Sequence, residues 1–243
     1  MLPLDHIPFP GPDLAATAVA FAALGFNVSP RCAYTSPDEP GARWDNHCVF
    51  LDKGWFDLLQ AHGAPQPVRP GGALFLTGDL DAASARLSSM RQLPPYRLIR
   101  GWDDAPGRGQ EDFAMFAVRE RISPLGLAVI QHHYPCLDAS PAWFVHPNSA
   151  KEVAGVAFAG AEPGPFAQAA AEALDLSGFE YWEQAEFSDA FGEGVDCAVR
   201  VRVSSLAAAR ASLSPSLAVV ESKGRLHVTP PSPLGCGFLF FES

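Results

Sequence analysis

Two side chains near the start of this chain are of the types that do chemistry, and each sits in an apolar stretch. His6 lies in the run 2–9, and Asp57 lies in 55–59 between Phe56 and Leu58. An imidazole in a buried strand needs partners for its ring nitrogens, and a carboxylate in an apolar strand must face solvent, a partner or a cavity. Looking into one hollow, the two could move a proton, with Asp57 as the candidate catalytic base, or orient one another. His47 follows Asn46 and either lines the same space or makes a structural hydrogen bond. Of His132 and His133, strand alternation sends one side chain to each face. Trp44, Trp55, Trp102, Trp143 and Phe113 are candidate walls of a small-molecule pocket, where large rings supply apolar contact.

These residues need elements to position them. Residues 2–9 read as a strand broken by Pro10-Gly11-Pro12. Asp13 is a suitable N-cap for a helix over 14–24, and Gly25 a suitable terminator. A second strand is expected at 26–30, a Pro/Gly/Asp loop at 35–43, then strands at 46–51 and 55–59 around the turn Asp52-Lys53-Gly54. The order repeats: strand 73–77, Asp79 capping a helix over 80–90, extended 96–101, a polar loop at 103–110, and strands 113–120 and 127–132. The two Asp-Leu helix starts, Asp13-Leu14 and Asp79-Leu80, mark a repeated βαβββ unit. A third start covers strand 153–159 and helix 165–174, followed by strands near 179–184, 197–203, 217–221, 226–229 and 237–241, with a short helix at 206–213. This last part reads as one and a half units fused, and the Pro-rich segment 134–148 as the connection before it.

Composition narrows the function classes. The chain has 243 residues, a formal net charge of −10 and 48% hydrophobic residues. Such a balance suits a well-buried globular protein and repels nucleic acid and anionic membranes; its few lysines, Lys53, Lys151 and Lys223, form no basic patch. Five scattered cysteines without a C-x-x-C pattern fit reduced thiols. Without a leader-like start or a long apolar run, a soluble cytoplasmic protein is expected. The Gly-rich stretch 101–110 lacks a Walker lysine, so no nucleotide cofactor is expected.

In order and spacing, Leu4-Asp5-His6, Pro12-Asp13-Leu14, Leu24-Gly25-Phe26, Asn46-His47, 55–59, 127–132 and His146-Pro147-Asn148 before strand 153–159 resemble the vicinal oxygen chelate superfamily. Within it, the likeness is to glyoxalase-like domain proteins. The resemblance implies an α+β fold: tandem βαβββ units forming curved mixed sheets around a cavity. It divides the chain into a first pair of units over 1–135, a linker at 136–152 and a less regular second half over 153–243. It also implies one divalent metal ion (Fe, Mn, Zn or Ni), held by His6, Asp57 and either Gln131 or His132, with register deciding between the last two. Residues near Leu74, where a further ligand belongs, are apolar. The substrate-binding candidates are His47, Trp55, Trp102 and Phe113.

The function so implied is binding of a small organic molecule, with metal-dependent lyase, isomerase or ring-cleaving dioxygenase chemistry. The alternative is a metal-free binding protein resembling the bleomycin-resistance sequestering proteins. The expected partner is a small-molecule ligand, with no nucleic acid or membrane; a homodimer is left open.

Overall fold

Asp13 and Asp79 each open a helix that follows an apolar strand, and each does so by the same bond. The Asp13 carboxylate accepts from the amide of Ala16 and that of Asp79 from Ala82, both at 2.9 Å, which satisfies an otherwise orphaned donor of the first turn. The computed structural model describes residues 2–102, 111–122, 125–134, 140–160 and 162–242. The polar loop expected at 103–110, Cys136 and residues 135–139 of the Pro-rich segment lie outside the described residues.

Around the two capped helices the chain builds two βαβββ units. The first is β1 (Leu4–Gly11), α1 (Leu14–Ala23), β2 (Cys32–Ser36), β3 (Glu39–Phe50) and β4 (Trp55–Gln60). The second is β5 (Gly72–Leu76), α2 (Leu80–Arg86), β6 (Tyr96–Trp102), β7 (Glu111–Ile122) and β8 (Leu125–Tyr134). Their strands close into one barrel, ordered β1-β4-β3-β2-β6-β7-β8-β5. Within each unit the first and last strands run parallel, and the units join through antiparallel seams β1–β5 and β2–β6.

Three local expectations are corrected. Residues 26–30 form no strand: Ser29 instead donates its amide to Cys48 O at 2.8 Å and its hydroxyl oxygen accepts from the Cys48 amide. The loop expected at 35–43 shrinks to the two-residue turn Pro37-Asp38, with β2 running to Ser36 and β3 starting at Glu39. Helix α2 stops at Arg86, four residues short of the expected end.

The second half is β9 (Ala150–Ala159), α3 (Pro165–Leu174), β10 (Phe179–Trp182), α4 (Gln184–Phe191), β11 (Cys197–Val203), α5 (Leu206–Ser212), β12 (Val219–Ser222), β13 (Arg225–Val228) and β14 (Gly237–Phe241). Its strands form one sheet, β10-β9-β11-β14-β13-β12. From β11 through α5 to β14 the order, the parallel outer pair and the antiparallel meander repeat the unit of the barrel. Helix α4 departs from the expectation, in which only its first residue, Gln184, belongs to an element, the strand 179–184.

One hydrophobic core lies between the outer face of the barrel and this sheet. Phe9, Phe21, Phe26, Phe56 and Phe238 meet there, with ring centroids 5.0 to 6.4 Å apart. Burying each such ring contributes about 1.5–3 kcal/mol. Backbone bonds stitch the halves: Val153 N donates to Lys53 O at 2.9 Å and Gly235 N to Val68 O at 2.7 Å. Between the halves, buried His146 donates from Nε2 to Phe50 O at 2.7 Å and accepts the Asn27 amide at Nδ1. Asn148 bonds Leu24 O, so His146-Pro147-Asn148 fastens the connection to the barrel.

Candidate functional site

Strand alternation turns one set of side chains into the barrel and the other into the core. Inside stand His6 and Pro8 of β1, Asp57 and Leu59 of β4, Leu74 of β5, Tyr34 of β2, Trp44 of β3, Leu98 of β6, and Phe113 and Met115 of β7. Together with Ser36, Asp38, Glu39 and Tyr96 these enclose a cavity of about 700 Å³. Ile7, Phe9, Phe56 and Leu58, one position out of phase, belong to the core. His6 and Asp57, each 4% exposed, therefore do face one hollow.

Each is held by a partner that the sequence reading did not assign. The ring of His6 stacks on Trp55 with centroids 4.1 Å apart, and its Nδ1 lies 2.6 Å from Asp5 Oδ2. Alternation would send Asp5 to the opposite face, but the β1–β5 register shifts between Leu4 and His6 and turns it back. Asp5 Oδ1 meets His132 Nε2 at 3.0 Å, and Oδ2 also accepts from Trp55 Nε1 at 3.3 Å. Burial pushes the Asp5 carboxyl up, but the hydrogen bonds from His132 and His6 outweigh it and hold it well below the usual range. An ionised carboxylate only accepts, so Nδ1 of His6 carries the proton toward Asp5, and Nε2 is the nitrogen a ligand can meet.

Asp57 has the opposite environment. Its Oδ1 accepts from Asn46 Nδ2 at 2.7 Å. Burial pushes its carboxyl up, and His6, Asn46, Arg100 and Tyr34 only partly offset that. The Tyr34 hydroxyl is buried beside it. Arg100, 1% exposed, lies under this cluster in an aromatic box: its guanidinium carbon is 4.6 Å from the Trp55 ring centroid and 5.2 Å from that of Phe50, and Nη1 is 3.2 Å from Cys48 Sγ. Tyr34 and Arg100 give no separate signal in the sequence, and Asn46 only as the neighbour of His47, because single aromatic, amide and guanidinium residues are common in cores and on surfaces alike.

The other candidates are placed elsewhere. Gln131 faces away from the barrel interior: its Oε1 accepts from the Leu80 amide at 3.1 Å and its Nε2 donates to Gly78 O, so it serves the start of α2. His132 is the inward residue of the pair, yet its Nε2 is committed to Asp5. It lines a separate cleft of about 1160 Å³, between the end of the barrel and β9, rather than the cavity. His47 points outward, with Nδ1 2.8 Å from Ser29 O, and is absent from the cavity wall. Trp55 is the partition between His6 and that cleft, and Trp102 packs on Trp143 at 4.7 Å as part of the box around Arg100. Phe113 is a cavity wall.

These positions test the implied metal. At the level of His6 the register sets Leu74 opposite on β5, and Ala128 beyond it on β8. Nε2 of His132 serves Asp5 and one oxygen of Asp57 serves Asn46, which leaves His6 Nε2 and the other Asp57 oxygen as two donors. Among the described residues no three His, Cys, Asp or Glu side chains are gathered so as to hold a metal ion. The donor set does not fit a divalent ion. Cys32, Cys48, Cys197 and Cys236 are free, buried thiols, and burial pushes the last three up.

Two βαβββ units closed through their first strands, with a ring-lined hollow inside, decide the architecture. The fold is vicinal oxygen chelate-like. No family model matches the chain, and no curated protein does. Solved structures similar to it include a hypothetical protein from Staphylococcus aureus, at 10% identity over 100% of this chain and 86% of that one, with a TM-score of 0.43. Another is glyoxalase I from Zea mays, at 11% identity over 99% of this chain and 67% of that one, with a TM-score of 0.35. A third is methylmalonyl-CoA epimerase from Streptomyces coelicolor, at 21% identity over 55% of this chain and 100% of that one, with a TM-score of 0.37. No described helix is long and apolar enough to cross a membrane.

Proposed function

We propose that the barrel binds a small organic molecule in its cavity without a metal ion. One observation carries this reading: a hollow of about 700 Å³, walled by rings and aliphatic side chains, has His6, Asp57 and the Tyr34 hydroxyl converging in it. Apolar walls with a few convergent polar groups are what a ligand pocket requires. A hollow of that size kept only for structure sacrifices the contacts its lining would otherwise make. The small number of metal donors beside His6 and Asp57 supports the metal-free alternative over the metal-dependent one. A ligand screen by thermal shift tests it, because a molecule that binds only the native state raises the midpoint. The expected hits act equally with and without EDTA and are lost in Leu74→Trp, which fills the hollow. Stoichiometric metal in purified protein that disappears in His6→Ala would overturn the metal-free reading.

A second reading, proton transfer on the bound molecule, is favoured by the Asp5–His6 contact of 2.6 Å. A carboxylate that fixes one ring nitrogen leaves the other oriented as a base. His6 Nε2 would take a proton from the ligand and return it, which solvent-deuterium incorporation into a bound ligand would report. Incorporation that persists unchanged in His6→Gln would remove His6 from that role.

A further inference from the structure

The proposed cavity has an asymmetric charge inventory. Its lining contains three carboxylates: Asp38 and Glu39 at the turn between β2 and β3, and Asp57 on β4 deep inside. No lysine or arginine is among the described lining residues, and His6 is the one basic side chain there. Arg100 lies behind Trp55 and opens on the other cleft. The aromatic members, Tyr34, Trp44, Tyr96 and Phe113, are distributed over β2, β3, β6 and β7, so rings line the hollow on several sides. Ring faces attract cations, most strongly where water is excluded. The buried Tyr34 hydroxyl, set beside Asp57, adds an oxygen that can accept from a donor seated there.

We infer that the ligand is a compact organic cation, a protonated amine carried on an aromatic or branched apolar body. This assignment rests on the reading of the cavity as a ligand site and names the chemical class that site takes. The ammonium group sits against Asp57, donating to the carboxylate oxygen that Asn46 leaves open and to Tyr34 Oη. The apolar body lies between Phe113, Leu98 and Trp44. Asp38 and Glu39, at the turn end of the cavity, draw a cation in and oppose an anion. An anionic ligand would pass Asp38 and Glu39 at the turn and meet Asp57 inside, and a neutral one would add nothing to the partial compensation that His6 and Arg100 give Asp57.

The test uses the full chain and three probes of matched size: phenethylamine, phenethyl alcohol and phenylacetate. Binding is followed by calorimetry and by tryptophan fluorescence, since Trp44 lines the hollow. The amine is expected to bind at least about tenfold more tightly than the alcohol, as one charge-assisted hydrogen bond allows, and phenylacetate most weakly. Asp57→Asn should reduce the amine to the affinity of the alcohol and leave the alcohol unchanged. Should that variant not fold, Asp38→Asn with Glu39→Gln should weaken the amine about two- to threefold and flatten its salt dependence. Alcohol or phenylacetate binding as tightly as the amine overturns the cation assignment while leaving the cavity as a ligand site. Failure of all three to bind overturns both.

Discussion

The barrel and the second sheet share a strand order but not an interior. In the barrel, the face turned away from α1 surrounds a hollow with His6, Asp57 and Tyr34 in its wall. In the second sheet, the face turned away from α5 is occupied: Phe187, Ala190 and Phe191 of α4 pack on Ala157, Ala198 and Leu239. Where the barrel presents Asp57 on its last parallel strand, β14 presents Leu239 and Phe241. The remaining inward positions, Arg200 and Arg202 of β11 and Arg225 of β13, are taken up by Glu180, Glu152 and the Phe241 ring. The unit that lacks a complementary second unit fills its face with a helix and ion pairs. The unit that has one encloses space, and that is where ligand chemistry is expected.

The strongest way to break this comparison is to empty the filled face. Phe191 is fully buried against Phe187, Trp182 and His227, at ring distances of 4.8, 6.0 and 5.4 Å. Phe191→Ala should cost about 3–5 kcal/mol, measured by urea unfolding. Phe113→Ala, in the cavity wall, should cost distinctly less, because a side chain that already borders a hollow loses contacts on one side only; it should weaken ligand binding instead. Equal costs would mean that the two faces are packed alike.

A second substitution probes how closely the filler approaches. A Cβ added at Gly237 would lie 2.4 Å from Phe191 Cδ1. Gly237→Ala should therefore destabilise by about 1–3 kcal/mol through overpacking, and combining it with Phe191→Leu should recover much of the loss. Without that recovery, the α4–β14 contact does not explain the glycine.

The same contrast explains what was legible in the sequence. Both units of the barrel could be read because Asp13-Leu14 and Asp79-Leu80 combine a cap with an apolar run, two local signals that agree. That His6 and Asp57 line one hollow was legible because each is a polar residue set in an apolar stretch. Asp5 was hidden because a bulge reverses its face, and alternation cannot see a bulge. Gln131 and His132 could not be separated without register, which is set by pairing with distant strands. Helix α4 was missed because its apolar residues, Phe187, Ala190 and Phe191, serve one face of only eight residues that follow directly on β10.

Acid titration sharpens the difference inside the barrel. Asp5 is held below its ordinary 3.8, so its contribution to stability is present above that pH and is lost as pH falls below it. Asp57 is raised, so it opposes folding as pH rises from 3.8 through its folded value. At pH 7, Asp5→Asn should destabilise by about 1–3 kcal/mol, because the amide keeps one acceptor oxygen for three donors and turns an N–H toward the rest. Asp57→Asn should stabilise by about 1 kcal/mol while abolishing the preference for a cation. Matching signs from the two variants would show that the carboxylates do not have the separate environments described.

The smallest expected effect belongs to the filled face. His227 is 5% exposed, packed between Trp182 and Phe191, and neither ring nitrogen has a hydrogen-bond partner. Burial, with Arg225 and Lys223 nearby, pushes the imidazole below its ordinary 6.5, and Glu186 on α4 only partly opposes this. The unfolded chain therefore takes up a proton first, and stability falls as pH drops below 6.5. His227→Leu removes the two unsatisfied nitrogens and should add about 1 kcal/mol at pH 7. It should also flatten the acid limb between pH 6.5 and 5, leaving the share due to His146, whose imidazole burial also lowers. An acid limb unchanged in the variant would place the titration elsewhere and leave His227 as a neutral packing residue at every pH.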